Sequence, residues 1–405
     1  MPEMRSPRRI GLVAVALAAP ALASPLAPAT LDEAARGYVE LALAIGEHDA
    51  NYVDAYYGPE ETRAKVRAAK ADLGALARRA SELVTKVRAV PRPSEDTEAG
   101  LLALRRDYLL QQVESAAARI DLLRGRRMRF DEESRALYNA VAPRHEAAYF
   151  QEKLDRIAAL LDALPAAPDG RDLPADAPLR DRVERVRARV TIPPERIAAV
   201  FDRAIAECRA RTAARVALPE GESFTVEPVT DKPWGAYNWY KGGYRSVIQV
   251  NVSLPIRIDA ALQLACHEGY PGHHLYNALL EHRLVRDRGW REFQIYALFS
   301  PQSLIAEGTA NYGVALAFPA EERLAFERDV LYPLAGLDPM LAAPYSRLRE
   351  LTEELSYAGN EAARRYLDGE ISAADAAAWL ERYALFSPER AAQRVRFFDS
   401  YRSYV

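Results

Sequence analysis

Four of the six histidines in this 405-residue chain, His267, His273, His274 and His282, fall within sixteen residues, and Glu268 directly follows the first. Histidine is the commonest metal ligand and a neutral-pH acid or base. The nearest physical template is His-Glu-x-x-His on a helix, where two histidines four residues apart bind zinc and the glutamate activates water. The stretch Cys266-His-Glu-Gly-Tyr-Pro-Gly-His-His-Leu-Tyr276 departs from it. Its second histidine comes six or seven residues after the first, with Pro271 and Gly272 between.

A regular helix would put His273 about 240° around from His267, and His274 on the same face but about 10 Å along the axis. Zinc needs both imidazole nitrogens at about 2.0–2.1 Å, so the helix must deform. Pro271 has no N–H for the carbonyl of His267, and Gly272 accepts unusual dihedrals. If two residues bulge out, His273 takes the fourth-residue place. His274 then points about 100° away, supporting a ligand from behind or facing the substrate; the alternative is that His274 binds the metal in place of His273. The third ligand is sought in Leu304-Ile-Ala-Glu-Gly-Thr-Ala-Asn-Tyr312, where Glu307 is a lone carboxylate on an apolar stretch. A buried glutamate is rare unless paired or metal-bound. Asn311, one turn on, is placed to accept the free ring N–H of a ligating histidine.

The motif pair His267-Glu268-Gly-Tyr-Pro271-Gly272-His273-His274 and Glu307-Gly308-Thr-Ala-Asn-Tyr312 resembles a bacterial family of unknown-function proteins with the pattern H-E-x-x-P-G-H-H and a later E-G-x-A-x-Y. That family looks like a branch of the gluzincin metallopeptidases, and dipeptidyl-peptidase III proteins are similar in their lengthened spacing. The resemblance covers residues 230–405 most closely. It implies His267, His273 and Glu307 as ligands of Zn2+ and Glu268 as general base. Family members often carry a later Asp-x-Gly-x-His segment, which is missing here. Arg347-Leu348 instead runs into Glu353-Glu-Leu-Ser-Tyr357-Ala-Gly-Asn360. The oxyanion-stabilising group is therefore sought at Tyr357, with Tyr312 in reserve.

The elements that must position these groups read as mainly α. Ala, Leu, Arg and Glu, the strong helix formers, dominate the composition. A net charge of -3 offers no electrostatic basis for binding nucleic acid or an anionic membrane. Residues 1–23, with Arg5, Arg8 and Arg9 before an apolar Ile10–Ala23 run ending Ala21-Leu-Ala23, have the layout of a secretory signal peptide. A periplasmic or secreted protein without a membrane anchor after cleavage is expected. Residues 24–190 read as a helical N-terminal region, with helices at Leu31–Ala55, Pro59–Asp72, Leu76–Ala89, Thr97–Leu123, Asp131–Ala140, Arg144–Leu164 and Leu179–Val190. His48 reads as a helix end and polar loop, and His145 as solvated. Residues 191–405 form the catalytic region. There Ser223–Val229 alternates in hydropathy, and Tyr237–Val252 reads as a β-hairpin around Lys241-Gly242-Gly243. Further helices are expected at Leu275–Arg286, from Ser300-Pro301 and from Ser387-Pro388. Cys266 reads as a small buried residue. Pairing with Cys208, the other cysteine, is permitted by export.

The fold expectation is thus a gluzincin-like architecture with a small sheet beside the zinc-binding helices. The functional expectation is an exported zinc metallopeptidase acting on a peptide substrate, which strand addition to the hairpin would hold. Two alternatives stay open: a non-catalytic helical protein that retains metal, and a zinc hydrolase of a non-peptide amide or ester. Oligomeric state is not legible in the sequence.

Overall fold

The computed structural model describes residues 26–93, 97–164, 170, 173–232, 234–253 and 255–404. The signal-peptide expectation for residues 1–23 lies outside them. The protein is mainly helical, 66% helix and 8% strand.

Helices α1 (Leu26–Gly46), α2 (Glu60–Ala69), α3 (Leu73–Ala89), α4 (Thr97–Leu123) and α5 (Phe130–Tyr138) build the first part. Buried apolar residues recur at helical spacing, Leu76, Ala80, Leu83 and Val87 on α3 and Leu109, Val113, Ala116 and Ile120 on α4. The Asp72 side chain caps α3 by accepting from the Ala75 N–H at 2.7 Å. The helix expected at Leu31–Ala55 ends at Gly46, and residues 53–56 form a strand instead. This strand, β1 (Val53–Tyr56), pairs antiparallel with β5 (Ile295–Ala297). Ile295, Ala297 and Phe299 thereby enter the core of the N-terminal helices. The buried Arg105 guanidinium fastens the same junction, donating to Glu292 at 2.6 and 3.1 Å and to Asp32 at 2.7 Å.

A second core runs from α6 (Ala147–Asp162), α7 (Leu179–Arg189) and α8 (Ile197–Ala213) to the helices that follow the sheet. The sheet has the order β2-β4-β3. Strand β2 (Ser223–Val229) lies parallel to β4 (Arg245–Asn251), and the expected hairpin joins β3 (Ala236–Gly242) to β4. Then follow α9 (Ile258–Leu264), α10 (His273–Leu280), α11 (Pro301–Ala317), α12 (Ala320–Phe326), α13 (Tyr332–Ala335) and α14 (Ala342–Glu354). The last three helices, α15 (Tyr357–Leu367), α16 (Ala373–Tyr383) and α17 (Pro388–Tyr401), pack around Phe130, Leu380 and Phe398. Ser387 caps α17 as expected, its hydroxyl accepting from the Arg390 N–H at 3.3 Å. Ser300 does not cap α11; its hydroxyl donates to the Ala297 carbonyl at 2.7 Å.

Candidate metal centre

The motif is not one helix with two residues looped out. Helix α9 widens into a π-turn over Ala265–Gly269, where the Tyr270 N–H reaches back to the Ala265 carbonyl at 3.4 Å. The chain then breaks at the cis Tyr270–Pro271 bond, and α10 starts afresh at His273. Across the break the Gly272 N–H donates to the Cys266 carbonyl at 2.9 Å. Glycine is needed here for space. Gly272 has a φ of -73°, but a Cβ on it would lie 1.8 Å from the His267 carbonyl oxygen. Gly313 does the same service on α11, where a Cβ would meet Pro271 Cγ at 2.8 Å. Helix α11 thus rides close over the break. A disulfide between Cys266 and Cys208 ties the turn to α8.

This packing brings together the three residues the sequence singled out. His267 Nε2 and His273 Nε2 are 3.1 Å apart, and each lies 3.4 Å from a Glu307 carboxylate oxygen. Donors at about 2.0–2.1 Å from a tetrahedral ion would stand about 3.3 Å from one another, so a two-histidine, one-carboxylate donor set fits zinc here. His267 Nδ1 meets the Asn311 side-chain oxygen at 3.2 Å, the partner expected for a ligating imidazole. Burial works against the charge of Glu307, but the two imidazoles outweigh it and hold the carboxyl far below its usual range.

Glu268 is buried beside the cluster, and its backbone carbonyl accepts from Asn238 Nδ2 of β3 at 2.7 Å. Burial raises the pKa of its carboxyl above the ordinary value, against the opposing pull of His273 and His267. His274 is not placed as a ligand. It is fully buried, with Nδ1 at 2.9 Å from the Ser246 hydroxyl and Nε2 at 3.0 Å from Glu222. Both ring nitrogens are thus engaged, and the residue pins α10 to the sheet. Glu222 also accepts from Tyr270 and from Arg209.

Neither of the two tyrosines expected to stabilise an oxyanion lines the cavity beside Glu307. Tyr312 is 70% exposed, about 140° around α11 from Glu307. Tyr357 packs its ring 4.8 Å from that of His145, which is half-buried against Tyr149 rather than solvated. Other groups wall the cluster. Asp54 is the extra residue where the β1–β5 register shifts, and such a bulge re-aims a side chain. It accepts from the Tyr237 hydroxyl and lies within electrostatic reach of His273 and Glu307. Burial and the nearby Glu307 and Asp54 charges push the Tyr404 hydroxyl up to about 12. Tyr296, similarly raised, donates to the Ser303 hydroxyl at 3.2 Å. A cavity of about 300 Å³ opens here, lined by Tyr138, Ser303, Leu304, Glu307, Ser403 and Tyr404. The signal for Asp54 was the Val-Asp-Ala-Tyr-Tyr run after His48; that histidine itself sits in a loop and meets the Ala71 carbonyl at 2.7 Å.

No family model matches the chain, and no curated protein matches it. Among solved structures, a candidate lipoprotein from Colwellia psychrerythraea is similar at 15% identity, with a TM-score of 0.45. The match covers 82% of this chain and 60% of that one.

Proposed function

We propose that this protein is an exported zinc-dependent hydrolase of gluzincin-like architecture, acting on peptide bonds. One observation carries the reading: His267, His273 and Glu307 present their donor atoms within 4.8 Å of one another, with Glu268 buried alongside. Zinc bound by these three would supply Lewis acidity at the scissile carbonyl. The Glu268 carboxylate takes a proton from the attacking water and returns it to the leaving amine; its raised pKa suits a group that must both accept and release. Tyr404 lines the cavity beside Glu307 with a protonated hydroxyl, and its role in this reading is to donate to developing negative charge. Strand β3 lies at an edge of its sheet and touches Glu268 through Asn238, which suits an extended peptide laid alongside.

Export rests on the basic-then-apolar start of the sequence and on the Cys208–Cys266 disulfide, a bond at home in oxidising compartments. Among the described residues no helix is long and apolar enough to cross a membrane. The decisive experiment joins metal analysis of the purified protein with mass spectrometry of a digested peptide library. Stoichiometric zinc and chelator-sensitive cleavage are expected. Zinc without any cleavage would leave a metal-retaining binding protein, and protein that takes up no zinc would end the proposal.

A further inference from the structure

A second cavity, of about 530 Å³, shares no lining residue with the one beside Glu307. Its volume falls in the range of small-molecule sites, about 300–1,000 Å³. Four arginines line it: Arg187 of α7, Arg257 just before α9, and Arg390 and Arg394 of α17. Gln393 and Phe397 complete the α17 face, at the spacing that puts side chains on one side of a helix. Leu355 and Phe386 add apolar wall, and the Thr352 and Ser356 side chains lie on the α14 side.

The charge pattern is what sets this cavity apart. Buried arginines elsewhere in the chain have carboxylate partners, Arg105 with Glu292, Arg364 with Asp131 and Glu361, and Arg323 with Glu327. At the cavity, Arg187 meets Glu184 at 2.6 Å, and Arg257 meets the Tyr345 hydroxyl at 3.1 Å and Asp259 at 3.7 Å. Among the described residues no carboxylate forms an ion pair with Arg390 or Arg394. Their guanidiniums lie only against rings, Phe386 at 4.1 Å and Phe397 at 4.7 Å from the centroids. Four guanidiniums against two carboxylates, Glu184 and Asp259, leave two positive charges facing one space. Desolvation with the charges of Arg187 and Arg257 lowers the Arg390 pKa against the smaller opposing pull of Glu184, and desolvation with the charge of Arg390 lowers that of Arg394. Arg390 is exposed and Arg394 half-buried, so a ligand can reach both.

We propose that this cavity binds a small organic dianion, a phosphomonoester or a dicarboxylate with an apolar body, through Arg390 and Arg394. The guanidinium fork matches either oxyanion in two-point geometry, and the Phe386, Phe397 and Leu355 wall takes the apolar part. The inference stands apart from the zinc reading, since no metal ligand takes part.

Titration calorimetry on the full chain tests it, at about 0.15 M salt, where the Debye length of about 8 Å screens diffuse attraction. Phenyl phosphate and phthalate are the probes, with benzyl alcohol as the neutral control. At least one dianion should bind saturably and the alcohol should not; the tighter of the two identifies the headgroup. The double variant Arg390→Gln/Arg394→Gln should weaken binding at least about tenfold, while Arg328→Gln, at an exposed pair with Asp329, should not. With like charges removed, the unliganded double variant should melt no lower than the parent. If it does melt lower, Arg390→Gln alone, at an exposed position, should still weaken binding at least about threefold. No saturable binding of either dianion, or equal binding by these variants and the parent, would overturn the assignment.

Discussion

The Nδ1 atom of His267 lies 3.2 Å from the side-chain oxygen of Asn311, one turn of α11 beyond Glu307. In the proposed zinc centre one helix would therefore offer both a carboxylate donor and the group that orients a histidine ligand. Asn311→Leu should weaken zinc affinity about 10–100-fold, read by competition with a chromophoric chelator. Asn311 is exposed, so circular dichroism should show an intact fold. Unchanged affinity would remove Asn311 from the centre.

Glu268→Gln keeps the shape of a buried side chain and removes its basicity. Zinc content should persist while the turnover number falls on the order of 10²–10⁴-fold. Full peptide hydrolysis by this variant would show that another group moves the proton.

Tyr404 and Tyr312 can be separated by removing one oxygen from each. Tyr404→Phe should lower the turnover number on the order of 10²-fold, as for loss of one oxyanion donor. Tyr312→Phe, at an exposed ring, should leave it within about twofold. The reverse outcome would restore Tyr312 and exclude Tyr404.

Gly272→Ala asks for space the chain does not have, since the added carbon would overlap the His267 carbonyl. A loss on the order of 3–5 kcal/mol in denaturant unfolding is expected, together with weaker zinc binding. A variant that melts and binds zinc like the parent would refute the described crossing.

Asp131 links α5 to α15 through Arg364 at 2.9 Å and also meets Arg144 at 2.6 Å. Burial would raise its pKa, but these arginines outweigh that and hold it below the ordinary value. A depressed folded-state pKa stabilises above the unfolded value of about 3.9, and that stability is lost as pH falls through the folded value. Asp131→Asn should cost on the order of 1–3 kcal/mol at pH 7. The gap to the parent should narrow as pH falls below the unfolded value of about 3.9, and a gap that widens there would contradict the sign.

Long periodic elements were legible because local spacing sets them: α4 spans Thr97–Leu123 as its pattern predicts. The clustering of His267, His273 and Glu307 was legible because residue chemistry singled them out. Strands β1 and β5 were not, since four and three residues are too few to show a period, and their pairing is set by partners far apart in sequence. The break after Gly269 escaped for a related reason. Pro271 announces that a helix cannot continue, but where the chain goes next depends on α11 packing against it. The angle of Tyr312 from Glu307 follows from helical spacing alone. Tyr404 carried no local signal, because only tertiary packing brings the last turn of the chain to Ser303 and Glu307.

The β1–β5 pairing also orders the history of each molecule. The three donors all lie between residues 267 and 307, whereas Asp54 leaves the ribosome early and meets its partner strand only when residues 295–297 exist. Closing so long a loop is slow compared with local helix formation. The donor triad is therefore expected to assemble first, with the Asp54 wall sealing afterwards. Pulse-labelled hydrogen exchange during refolding would read this as late protection at 53–56 and 295–297, and early protection there would reverse the order.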